Sequence, residues 1–185
     1  HIFLKSYPEI DVRFNCTIWN DPNSETADFQ IQLLDSDRKL ANGYRLTRDK
    51  AFAVCAPHLL ARRNGSQANV FFEDQPLITL IAKYDYWTLW SKKMGGAKIG
   101  NGRKIAVDTG ILAIELARGG YGLALTLETY SRPYIERGEL VKPFAEDIDL
   151  ELSHFILSPA DQKLSRPAEL FRDFLIEESK RSLPV

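Results

Sequence analysis

A cationic excess, cysteine and long apolar runs are all scarce in this chain, and each scarcity removes a class of protein. Its 185 residues carry 24 Lys and Arg against 25 Asp and Glu, a formal net charge of -1. A surface that grips nucleic acid by itself needs a basic excess to displace counterions from phosphates, and none is present. The longest apolar stretches, such as residues 111–116, are broken by charge within a few residues, far short of the ~20 that cross a bilayer. Both cysteines, Cys16 and Cys55, sit in apolar strand-like runs. That placement predicts reduced, buried thiols in a cytoplasmic protein rather than a disulfide framework. The histidines, His1, His58 and His154, are scattered and form no metal set. The chain opens on His1-Ile2-Phe3-Leu4 without Met, basic segment or small-residue cleavage pattern. No signal peptide is therefore expected, and an N-terminal portion is expected to lie outside this sequence.

What is present is a globular composition, 44% hydrophobic and 26% charged, enough to bury a sizeable core. Residues 1–7 read as a helix tail ended by Pro8, because the residue before proline is pushed out of the helical region. Ile10, Val12, Phe14 and Cys16 alternate with polar residues, the period of a half-buried strand, and Phe29, Ile31 and Leu33 alternate again. The continuous apolar run 51–55 predicts a strand covered on both faces. Strands are then expected at 77–81, 105–107, 123–127 and 153–157, with helices at 84–93, 110–118, 129–137 and from Pro167 onward. Asp108-Thr109 reads as a cap for the helix over 110–118, with Ile111, Ile114, Leu116 and Ala117 toward the core, and Gly119-Gly120 ends it. In the last helix Leu170, Phe171, Phe174 and Leu175 share a face. Strands alternating with helices imply a mostly parallel sheet.

Several chemical motifs fail on spacing. The glycine-rich run 95–104 has neither the spacing of a phosphate loop nor that of a dinucleotide fingerprint, and reads as a turn. Cys55 and His58 lie three apart, but a thiol in an apolar strand lacks the electropositive exposure that makes a thiolate. Asn15-Cys16-Thr17 and Asn64-Gly65-Ser66 match the glycosylation pattern by chance if no secretory signal exists. No nucleophile, base and orienter stand at recognisable spacing, so no enzyme activity and no cofactor are expected.

A set of landmarks in fixed order carries a resemblance. Tyr7-Pro8-Glu9-Ile10-Asp11-Val12 is followed by Ala27-Asp28-Phe29-Gln30-Ile31 and by Phe52-Ala53-Val54-Cys55-Ala56-Pro57 with Leu59-Leu60. Next come Trp87-Thr88-Leu89-Trp90, then Ala117-Arg118-Gly119-Gly120-Tyr121-Gly122-Leu123-Ala124-Leu125, then Gly138-Glu139-Leu140-Val141-Lys142-Pro143-Phe144. His154-Phe155-Ile156-Leu157 and Phe171-Arg172-Asp173-Phe174-Leu175 close the series. Together they resemble the effector-binding domain of LysR-type transcriptional regulators, most like the subgroup containing the glycine-cleavage activator and the β-lactamase regulator.

The resemblance implies an α/β fold of two Rossmann-like subdomains, like type 2 periplasmic binding proteins, with a ligand cleft between them. Subdomain I would span 1–54 and 155–185 and subdomain II 55–154, the winged helix-turn-helix lying outside this chain. The implied cleft is lined by Thr17, Trp19, Asn20 and Leu34 from the first subdomain, Thr79, Ile81 and the helix start Asp108-Thr109-Gly110 from the second, and His154 from the return strand. A helix start favours a carboxylate or amino-acid-like effector, although the Asp108 charge opposes an acidic one. Each residue also has a plain structural reading: Thr109 as a helix cap, Trp19 as packing, His154 as a satisfied core histidine. The resemblance further implies a homodimer, a tetramer in the full-length protein, and DNA contact only through the missing domain. In the dimer, helix 1–7 and strand 10–16 would meet helix 111–118 and strand 122–126 of a second copy, covering open sheet edges. Two other readings share the scaffold: a periplasmic-type solute-binding protein of a transporter, and a small-molecule enzyme.

Overall fold

The computed structural model describes residues 1–16, 27–61, 75–81, 85–96, 103–159 and 163–182. They belong to two units, His1–Arg48 with Glu151–Val185, and Asp49–Leu150. The boundaries lie at 48/49 and 150/151 rather than at 54/55 and 154/155, and strand pairing supplies the reason. Residues 50–54 hydrogen-bond into the sheet of the second unit, while 152–154 hydrogen-bond into that of the first.

The second unit is built on five strands: β3 (Lys50–Val54), β4 (Leu77–Leu80), β5 (Lys104–Val107), β6 (Leu123–Leu127) and β7 (Ile148–Asp149), in spatial order β5-β4-β6-β3-β7. All five residues of β6 and the last four of β3 are buried, which is why these strands read as continuous apolar runs. Period-2 alternation sorts them onto two faces. Ala51, Ala53, Leu77, Leu123, Leu125 and Leu127 pack with Trp87 and Trp90 of α3 (Tyr86–Lys93) and with Phe144. Phe52, Val54, Ile78 and Ala124 pack instead on Ala113, Ile114 and Ala117 of α4 (Gly110–Arg118).

Helix boundaries follow local chemistry. The Thr109 hydroxyl accepts the Leu112 N–H at 3.3 Å and starts α4, as a capping threonine does. Beyond its end, Gly120 has φ +79°, the left-handed region that favours glycine, and a β-carbon there would push aside the His58 ring end, 2.5 Å away at Nε2. Helix α5 (Glu128–Glu136) begins after Leu127, which has no capping side chain. Buried Asp49 supplies the cap from elsewhere in the chain, accepting from the Thr129 N–H at 3.2 Å and from the Thr129 hydroxyl. A short helix, α2 (Pro57–Ala61), follows β3.

The first unit contains α1 (Ile2–Ser6), β1 (Gln30–Asp35), β2 (Gly43–Arg45), β8 (Leu152–Leu157) and α6 (Arg166–Ser182). Its three strands lie in the order β1-β8-β2, both pairings antiparallel. Phe3 of α1 meets Phe171 and Phe174 of α6 at 4.8 and 5.3 Å between ring centroids, and Phe29 reaches Phe171 at 5.8 Å.

Five expectations are corrected. Among the described residues the sheets are not mostly parallel: only β4 pairs in parallel, with β5 and β6, and the remaining ladders are antiparallel. Parallel pairing arises only where helices α3 and α4 carry the chain back between successive strands. Residues 10–16 form no strand; no ladder takes their backbone groups, and Phe14 is exposed, edge-on to Phe171. Cys16 is therefore exposed, while Cys55 is buried, and both are free thiols. On α4, Ile111 faces outward at 56% exposure and Ala113 takes the buried position instead. Strand β6 lies between β4 and β3, so it offers no open edge for a second copy.

Candidate functional site

In the second unit, the amide of Ile81 donates to the Val107 carbonyl at 2.7 Å, which ties the end of β4 to the end of β5. Two residues further on, Thr109 opens α4. The carboxyl ends of two parallel strands and a helix N-terminus thus meet, the arrangement that places ligands at the ends of open α/β sheets. Thr79 and Ile81 line one hollow of about 220 Å³ with Asp85, Tyr86, Trp87 and Lys104; Thr109 stands beside this edge but does not line the hollow. Ile81 is 65% exposed, a large apolar side chain with no covering.

The polar groups of the hollow are ordered. Asp85 caps α3, accepting from the Thr88 N–H at 3.2 Å and the Thr88 hydroxyl at 2.9 Å. Burial pushes the Asp85 carboxyl upward, but those hydrogen bonds and the Lys104 charge outweigh it and hold the group below its ordinary value. The Trp87 indole N–H donates to the Ile78 carbonyl at 2.9 Å and fixes the wall. Thr109 accepts from Leu112 and keeps its own hydroxyl proton for another acceptor.

In the first unit, His154 lies in the middle of β8, nearly buried, opposite Leu33 of β1. Leu34 stands opposite Ser153. Since side chains alternate along a strand, Leu33 shares the face of His154 and Leu34 occupies the other one. Thr47 accepts the His154 backbone N–H at 2.9 Å, and its hydroxyl lies 3.1 Å from His154 Nδ1, so one threonine orients both backbone and ring. Thr17, Trp19 and Asn20 lie outside the described residues.

Sequence reasoning thus brought Thr79, Ile81 and Thr109 to one sheet end, and missed Asp85, Lys104, Leu33 and Thr47. Asp85 was legible as a D-x-x-T cap before an aromatic helix, whereas Thr47 carries no signal, its partner being 107 residues away. Among the described residues no three His, Cys, Asp or Glu side chains converge to hold a metal ion.

Two α/β units, between which the chain passes twice, place the molecule in the fold class of type 2 periplasmic binding proteins. The chain belongs to the LysR substrate binding domain family, whose model matches residues 2–180. It is similar, at 27% identity, to an uncharacterized HTH-type transcriptional regulator, y4mQ, of Sinorhizobium fredii, over 95% of this chain and 59% of that protein. It is 25% identical to the HTH-type transcriptional activator AmpR of Enterobacter cloacae, over 97% of this chain and 60% of the activator. The chain thus spans about three fifths of the length of these two curated relatives. Among solved structures, the AmpR effector binding domain from Citrobacter freundii superposes with a TM-score of 0.81 at 22% identity, covering 98% of this chain and 89% of that one. The family assignment sets aside the transporter reading.

Proposed function

We propose that this chain is the effector-sensing and oligomerising part of a DNA-binding transcription regulator of the bacterial cytoplasm, and performs no catalysis itself. The observation that carries this reading is the family match over residues 2–180. The effector is a small molecule held at the carboxyl ends of β4 and β5, beside the start of α4, in the second unit. Thr79, Ile81 and Thr109 contribute there, and the family resemblance names Thr17, Trp19, Asn20, Leu34 and His154 as further contact residues. The chemistry at the α4 start suits an amino-acid-like compound: its carboxylate meets the helix N-terminus and the Thr109 hydroxyl, and its ammonium offsets the Asp108 charge. The effector acts by binding two arrangements of the protein with different affinity, since a ligand indifferent to both shifts nothing. DNA is contacted through sequence outside this chain, whose net charge of -1 supplies no general attraction to phosphates.

A second copy covers apolar surface that one chain leaves in water. Ile2 and Leu4 on α1 and Ile111, Leu112 and Tyr121 on and after α4 are 44–62% exposed. Pairing α1 of one copy with α4 of the other would bury them in a twofold dimer.

One experiment tests the effector site. The 185-residue chain is screened by thermal shift against free amino acids and small carboxylates, and the best compound is titrated against wild type and Thr109→Val. The expected result is saturable stabilisation by at least one compound. In Thr109→Val its affinity falls roughly 5- to 150-fold, because an acceptor on the ligand is left unpaired. A screen without any stabilising compound overturns the effector assignment. Unchanged affinity beside a stability loss of ~1 kcal/mol leaves Thr109 only its capping role.

A further inference from the structure

A second hollow, of about 480 Å³, lies wholly within the first unit and is lined by none of the candidate effector residues. Its floor is the cross-strand pair Tyr44 and Ile156, on β2 and β8. The rim is fixed by backbone. Ser158 N–H donates to the Asn42 carbonyl at 3.1 Å, and at Gly43 a β-carbon would stand 2.7 Å from Leu40 Cβ, so only glycine lets the chain turn into β2 there. Helix α6 supplies the wall with Glu169, Arg172 and Ile176, at spacings of three and four that put them on one helical face. Although α6 runs for 17 residues, Ala168 is its single buried residue among those described; Phe171, Phe174 and Ile176 are only half-buried. The helix therefore stands off this end of the sheet, and Tyr44 remains 38% exposed in mid-face.

The charges around this space are unequal. Lys163 and Arg172 reach its lining, while its one carboxylate, Glu169, faces Arg166 at 3.5 Å. Arg172 directs Nε and Nη2 to Asp173 at 2.9 and 2.7 Å, which leaves donors of its five-donor group for another acceptor. An apolar floor with two cations at the edge, in a volume of the size that holds small ligands, fits one chemistry. We infer that this hollow is a second ligand site, taking a compact amphipathic carboxylate whose apolar body lies on Tyr44 and Ile176, above the buried Ile156, and whose carboxylate is held by Arg172 and Lys163. This site is independent of the effector site proposed above.

The test uses the whole 185-residue chain, labelled with 15N, and three probes: phenylacetate, its uncharged analogue 2-phenylethanol, and acetate. Phenylacetate is expected to give saturable amide shifts centred on Tyr44, Ile156 and Arg172, and to bind at least ~10-fold more tightly than either other probe. Arg172→Gln weakens phenylacetate by about 10-fold or more, as loss of a hydrogen bond between charged groups does. Asp173→Asn, which removes the same ion pair but keeps the guanidinium, leaves binding intact, as does Thr109→Val. Should Arg172→Gln perturb the spectrum globally, Lys163→Gln, an exposed substitution, is read for the same weakening. The inference is overturned by no saturable shift below about 10 mM, by equal binding of 2-phenylethanol, by shifts centred elsewhere, or by undiminished affinity in the cation variants.

Discussion

The two units use the same kinds of element and bury them to very different depths. The second carries a five-stranded sheet with helices on both faces and two clusters of buried side chains, among them Trp90, Leu77, Ile78, Ile114 and Leu123 at or below 1% exposure. Among its described residues the first has three strands, a 17-residue helix resting on half-buried aromatics, and Ile31, Leu33 and Tyr44 left partly in water on one sheet face. A layer covered on both sides resists opening; one covered on part of one side opens at low cost. Rigidity in one unit and slack in the other follow from sheet width and coverage, before any ligand is considered.

Truncating matched aromatics should break this symmetry most. Trp90→Ala, in the second unit, removes a side chain enclosed by Trp87 and Phe144 at 6.1 and 5.2 Å, and should cost ~3 to 5 kcal/mol. Phe171→Ala, half-buried in the first unit, should cost ~1 to 3 kcal/mol. Urea denaturation followed by hydrogen exchange separates the two; equal losses would mean the aromatic cluster on α6 is as tightly held as the core of the second unit.

The cysteines sharpen the comparison chemically, because one lies in each unit. Burial pushes the Cys55 thiol from 9.0 up to about 12, whereas Cys16 is exposed. Iodoacetamide at mildly alkaline pH should therefore label Cys16 and spare Cys55 until the second unit unfolds. A thiol whose folded pKa is raised gives stability that is complete below its unfolded value and is lost as pH rises toward the folded one. Stability should therefore fall between pH ~9 and ~12 by up to about 4 kcal/mol. Tyr130, also raised by burial and by the nearby Asp49 charge, acts in the same direction. Cys55→Ala should flatten the cysteine share of that fall; an unchanged pH profile would assign it to Tyr130 alone.

Asp49→Asn keeps the shape of the residue that caps α5 but weakens its acceptor, and should cost ~1 to 3 kcal/mol. Its effect belongs to the second unit, so amides of α5 should lose exchange protection while those of α6 keep theirs. The smallest expected loss is the ~1 kcal/mol from the α4 cap in Thr109→Val.

How much of this was legible depends on whether the cause lies nearby in sequence. Helix α4 was expected over 110–118 and is found at Gly110–Arg118, because both signals, the Thr109 cap and the Gly119-Gly120 stop, adjoin it. The runs of β3 and β6 were equally plain, since burial on both faces leaves no polar residue to interrupt them. The three residues of β2 and two of β7 are strands only because distant partners lie beside them, β8 for one and β3 for the other. Alternation over residues 10–16 gave the converse: the pattern of a strand with no ladder to join. For the candidate site, Thr79, Ile81 and Thr109 rest on the family resemblance, and they fall at a strand end and a cap that local signals mark. The choice between Leu33 and Leu34 as neighbour of His154 turns on a one-residue register that only the pairing with β8 reveals.

The first unit is split by the whole of the second, and this bears on the order in which the chain takes shape during synthesis. Gln30 finds its partner Leu157 at a separation of 127 positions along the growing chain, and the central strand of that sheet is the last to be made. Residues 49–150, whose ladders close over shorter spans, emerge in full before β8 does, and domains generally condense as they are completed. Prior closure of the second unit would bring residue 48 and residue 151 close together, replacing a long loop by a short one and lowering the entropy lost when β8 enters between β1 and β2. On the ribosome, the more rigid half would then act as the brace on which the more pliant half assembles.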